Sequence, residues 1–99
     1  MGAGQGMERE AIATDVTRIL YDMIGDWEID FQGAIGPETT LIGDLTFESI
    51  DIVQLGGLLE EHFQQESLPF EKLLLVDGRY VEDLRVGQIV DFLYEHLRR

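Results

Sequence analysis

Leu41-Ile42-Gly43-Asp44-Leu45-Thr46-Phe47-Glu48-Ser49-Ile50-Asp51-Ile52-Val53-Gln54-Leu55 changes character at Glu48-Ser49. Before that point Gly43 and Asp44 interrupt the chain with turn chemistry. After it Ile50, Ile52, Val53, Leu55, Leu58, Leu59 and Phe63 form a broad apolar face at helical spacing, which predicts a helix from near Ser49 to about Gln64. A serine at a helix start is most often an N-cap, its hydroxyl accepting an otherwise unpaired backbone N–H. The helix carries one flaw, Gly56-Gly57 in its middle. Each glycine costs about 1 kcal/mol relative to alanine there, so the pair predicts that something approaches this backbone closely.

Upstream, Ile12, Val16, Ile19, Leu20, Met23 and Ile24 give the stripe of an amphipathic helix that begins at Glu8 and closes at Gly25. Residues 1–7 hold three glycines and read as a flexible leader. The stretch 26–40, with Gly33, Gly36-Pro37 and Thr39-Thr40, reads as a long loop pinned by its apolar side chains, with a short strand at Trp27–Phe31 as the alternative. Downstream, Pro69 suits the first turn of a short helix covering Phe70–Val76, because its missing N–H is not needed there. Asp77-Gly78 then turns the chain. A last helix shows Val86, Ile89, Val90, Leu93 and Leu97 on one face and ends in Arg98 and Arg99, which complement the negative end of its dipole. Strand signals are weak throughout. The expected class is all-α, a small bundle of three main helices plus one short helix, occupying residues 8–99 as one domain.

Composition narrows the function. Ninety-nine residues, 44% hydrophobic and 27% charged, supply one core and leave little room for a deep active site. Twenty Asp and Glu against seven Lys and Arg give a formal charge of -13, a field that repels phosphate backbones and anionic lipid. Nucleic acid and membrane are therefore not expected partners. With no cysteine there are no disulfides, thiolate nucleophiles or Cys-ligated zinc. No signal peptide, myristoylation signal or membrane-spanning run is present, so the expected location is cytoplasmic.

Catalytic and metal-binding patterns are missing as well. His62 and His96 are the only histidines, each set in a helix without the acids and amides of a triad or metal site, and both read as surface residues. No EF-hand loop occurs. Neither a catalytic nor a metal site is expected, and the chain does not read as an enzyme. The acids are unevenly placed: between Ile19 and Glu71 there is no Lys or Arg, while twelve of the twenty acids fall there. Such a run serves solubility, or it serves as a docking surface for basic partners, whose approach a single-sign field accelerates and orients.

The stretch from Leu41 to Leu55, running on through Leu58-Leu59-Glu60-Glu61-His62-Phe63, resembles the signature of the acyl carrier protein family. There a loop ending in Asp-Leu leads, after three residues, to a serine that opens the helix recognised by partner enzymes. Asp44-Leu45, Ser49, Ile50, Asp51, Val53, Leu55, Leu59, Glu60, Glu61 and Phe63 fall where the family has matching types. Val86-Gly87-Gln88-Ile89-Val90-Asp91-Phe92-Leu93 is similar to the start of the family's last helix. The likeness spans Glu8 to about Leu97. It implies an acyl-carrier-like bundle in which Ser49 receives 4′-phosphopantetheine from coenzyme A through a separate phosphopantetheinyl transferase. The arm then holds acyl intermediates as thioesters for fatty-acid-like, polyketide or specialised lipid biosynthesis.

The same resemblance makes Asp44, Glu48 and Asp51 an acidic collar, with Glu60 and Glu61 lower on the same face, gripped by basic acyl-activating and acyl-transferring enzymes. It implies a monomeric shuttle. An aminoacyl or peptidyl carrier and an unmodified acidic helical adaptor are the alternatives. The chain departs from the family at Glu48, where Asp is usual, at Ile50, where Leu is usual, and at Phe47, where a small residue is usual. Phe47 is expected to pack on the core. The segment from Gln64 to Arg85 is longer than is typical, and Arg85 stands where a capping Thr or Ser is common, so Asp83 is expected to cap the last helix instead.

Overall fold

A computed structural model describes residues 8–25, 34–65 and 68–97 of the chain. The leader at residues 1–7, the alternative strand at Trp27–Phe31 and the terminal Arg98-Arg99 lie outside the described residues. Among the described residues, four helices and one hairpin follow in the order α1 (Arg9–Ile24), α2 (Ser49–His62), α3 (Glu71–Leu74), β1 (Leu75–Val76), β2 (Arg79–Tyr80) and α4 (Val86–Leu97). The three long helices stand where the apolar stripes place them. α1 buries Ile12, Val16 and Leu20, spaced four residues apart, and packs chiefly on α4, which buries Val86, Ile89, Val90, Phe92 and Leu93. α2 closes the core with Leu55 and Leu59. Gly25 ends α1, in right-handed rather than left-handed backbone.

The all-α expectation needs correction between residues 70 and 80. The third helix is a single turn, Glu71–Leu74, with Phe70 at its cap and Pro69 one residue outside, where its carbonyl accepts the Lys72 N–H at 3.0 Å. Leu75 leaves helical geometry, and the chain enters a two-stranded antiparallel hairpin in which Leu75 opposes Tyr80 and Val76 opposes Arg79. The cause is the turn. Asp77 and Gly78 both have positive φ, 55° and 79°, the left-handed pair that matches the twist of a two-residue hairpin loop. Asp-Gly was visible as a turn, but the strands on either side are two residues each and leave no alternation to read.

The segment before α2 is fastened to the segment before α4. Leu41 N–H donates to the Leu84 carbonyl, Val86 N–H to that of Thr39 and Gly87 N–H to that of Pro37, each at 2.9 Å. Chain 40–47 then folds on itself, with Leu45 N–H on the Thr40 carbonyl and Phe47 N–H on that of Leu41. Leu41, Leu45 and Phe47 are buried, so Phe47 packs on the core as expected. Asp83 does not cap α4. Its carboxylate accepts the N–H groups of Ile42 and Gly43 at 2.9 Å and of Leu84 at 2.7 Å. The cap position belongs to Arg85, whose N–H is taken by Gln88 Oε1 at 2.9 Å, three residues into the helix.

Candidate functional site

Ser49 is exposed, two residues after the buried Phe47. It is the first residue inside α2 and not its cap, which corrects the simplest reading of a serine at this place. Glu48 holds the cap position, and the Asp51 carboxylate reaches back to accept the Glu48 N–H at 2.9 Å. Glu48 and Asp51 thus organise the helix entrance without the Ser49 hydroxyl, which stays at the surface. Thr46, three residues earlier, has φ 59° in the left-handed region that β-branched residues avoid. That bend lets Phe47 enter the core while Ser49 leaves it.

Along α2, positions 49, 53, 56 and 60 fall on one stripe by helical spacing. Below Ser49, that stripe borders an open groove of about 510 Å³ between α2, α3 and the hairpin. Val53, Gly56, Phe70, Leu73, Leu74 and Tyr80 are among its lining residues, with Glu60 and Glu71 the two charged ones. The Gly56-Gly57 pair resolves into two different cases. A Cβ at Gly56 would stand 3.3 Å from the Phe70 ring, so the expected close approach is real there, whereas nothing lies within 4 Å at Gly57.

The five acids expected at a docking face occupy different places. Asp44 is exposed, and its carboxylate accepts the Thr40 N–H at 2.9 Å while its own N–H donates to Thr40 Oγ1 at 3.0 Å. Glu48 is exposed and Asp51 half-buried at the mouth of α2. Glu60 is half-buried on the groove side, its carboxylate accepting the Leu68 N–H at 2.9 Å. Glu61 is exposed and borders a separate hollow with Ile19, Asp22, Leu58 and His62. Glu60 and Glu61 therefore do not share one face, because adjacent residues diverge by about 100° around a helix.

Asp83, expected as a helix cap, is instead the residue that positions the loop before Ser49. Burial pushes its carboxyl up, but the backbone N–H groups of Ile42, Gly43 and Leu84 and the Thr40 hydroxyl outweigh this, and the group ends below its ordinary value of 3.8. It thereby fixes the loop that leads into Ser49. Its acceptor role had no local signal, since Ile42 and Gly43 lie about forty residues earlier in the chain. His62 is exposed, as expected, and its Nε2 stands 3.2 Å from Asp15 Oδ2 on α1. His96 departs from the surface reading: it is half-buried, its Nδ1 is 2.9 Å from the Phe92 carbonyl and its ring is 4.2 Å from that of Phe92. Among the described residues no helix is long and apolar enough to cross a membrane. Compared with known protein families, with curated proteins and with solved structures, the chain matches none.

Proposed function

We propose that this chain is an acyl carrier protein that holds acyl intermediates on a 4′-phosphopantetheine arm at Ser49. The observation that carries the reading is the placement of Ser49: exposed, at the first position of a 14-residue helix, at the head of the stripe that borders the apolar groove. The residues present fit such a group. The hydroxyl is accessible at the first position of a helix, and no cysteine in the chain competes for a thioester.

In loading, Ser49 Oγ attacks the coenzyme A phosphorus that bears the pantetheine. The new O–P bond forms as the bond to 3′,5′-adenosine diphosphate breaks, and the hydroxyl proton passes to a base of the transferase. The group supplies a thiol for acyl transfer once it is attached. The chain's own part is to present the hydroxyl, exclude rival nucleophiles and offer acids at the helix mouth to basic partners. Asp44, Glu48 and Asp51 frame Ser49 in this role, while Glu60 and Glu61 lie lower on the helix on adjoining faces.

Incubation with coenzyme A and a broad-specificity phosphopantetheinyl transferase, read by intact-protein mass, tests the reading. One arm per chain in the wild type and none in Ser49→Ala supports it. An unmodified wild type beside a fully converted control carrier sinks it and leaves the unmodified adaptor.

A further inference from the structure

The hairpin supplies none of the residues assigned above to the loading step, yet it carries two of the most conspicuous side chains on the molecule. Tyr80 is 79% exposed and Leu75 43%, although both are large and apolar. As register partners they project from the same face of the hairpin, and both border the groove along with Val53. Val53 is 68% exposed, and Ile50, one turn away on α2, is 67% exposed. Two elements distant in sequence thus bring three exposed apolar side chains, Val53, Leu75 and Tyr80, to one groove, and Ile50 extends the patch one turn along α2 toward Ser49. Exposed apolar groups gathered in this way mark interaction surfaces.

The charge around these residues selects the occupant. Glu48, Glu71 and Asp77 are exposed near the patch, while Val76 and Arg79 pair on the opposite face of the hairpin. A second copy brings another formal charge of -13 against the same acids, which opposes self-association. A protein whose apolar centre is ringed by Lys and Arg fits both features.

We propose that the β1–β2 hairpin is the second half of the docking face, so that enzymes acting at Ser49 grip Leu75 and Tyr80 together with Ile50 and Val53. This rests on the carrier reading and names the hairpin as its partner-selecting element. Alternation along strands too short to signal themselves puts the two side chains there, and nothing in the core requires them.

The transferase is the probe. Loading of Ser49 is followed by mass across a range of protein concentrations for the wild type, for Leu75→Ser/Tyr80→Ser and for Tyr80→Phe, with circular dichroism melts to verify the fold. The double variant is expected to raise KM about tenfold, the scale of losing an aromatic anchor, with kcat unchanged and Tyr80→Phe behaving as the wild type. Its KM keeps the wild-type dependence on salt, because the lost contact is apolar. A wild type that loads normally and a folded double variant with unchanged KM overturn the hairpin assignment and leave the carrier reading standing. A wild type that does not load overturns both. Sedimentation showing a dimer that the double variant abolishes makes a second copy the occupant, and overturns the assignment too.

Discussion

Replacing Asp83 by Ala removes the acceptor that ties the loop before Ser49 to the segment before α4. Three backbone N–H groups lose a charged partner at 2.7–2.9 Å. A hydrogen bond to a charged group is worth about 1.5–3 kcal/mol where water cannot replace it. Ile42 and Gly43 are exposed and recover water, while Leu84 is buried. The sum is therefore well below three full bonds, at about 2–3 kcal/mol, or a Tm lower by roughly 10–20 °C for a domain of this size.

The pH dependence gives a second reading of the same contact. The folded-state carboxyl lies below its unfolded value of 3.8, so its contribution is fully present above that value and is lost as pH falls through the folded pKa. Thermal melts by circular dichroism at pH 7 and below pH 4 measure both quantities. The gap between wild type and Asp83→Ala is expected to be wide at pH 7 and to narrow below pH 4. A variant that melts with the wild type at pH 7, or a gap that does not change with pH, refutes the clamp.

Thr46→Gly is expected to stabilise the chain by about 0.5–1 kcal/mol, because relief of left-handed strain exceeds the added chain entropy of glycine; a higher denaturant midpoint is the measure. Gly57→Ala raises Tm through a helix-propensity gain of about 1 kcal/mol in open space, and Gly56→Ala gains less, since the Phe70 ring must yield to the new methyl; melts of the two variants side by side decide this. Phe47→Ala costs about 3–5 kcal/mol in denaturant titration if the ring is a core anchor, and almost nothing if it is not. Under the carrier reading the transferase KM rises with added salt, since charges beyond about 8–10 Å are screened at physiological ionic strength, and Glu48→Lys raises it at low salt; an insensitive reaction returns the acids to solubility.

Much of this architecture was legible as periodicity. The stripes of α1, α2 and α4 repeat every three or four residues, and a helix with such a stripe has one stable place to put it, against the other stripes. Ser49 was legible too, as the residue where turn chemistry gives way to helix. The capping detail was not, because Glu48 and Asp51 compete with Ser49 for the same entrance, and only the side-chain geometry decides which carboxylate reaches the backbone. The histidines show the same division, since His96 lies against Phe92 one turn away while its helical context alone reads as surface.

The amino-acid order by itself determined three long helices, the excess of acid around the second of them and a serine at its head, since each depends on neighbours within a few residues or on composition alone. Tertiary structure decided the rest. Asp83 holds the loop at Ile42-Gly43 across about forty residues, the hairpin follows from two left-handed residues in a segment too short for a strand pattern, and the ring of Phe70 packs closely on the backbone at Gly56. These contacts join parts of the chain that carry no local trace of one another, and they form only once burial of the helical stripes has brought those parts together.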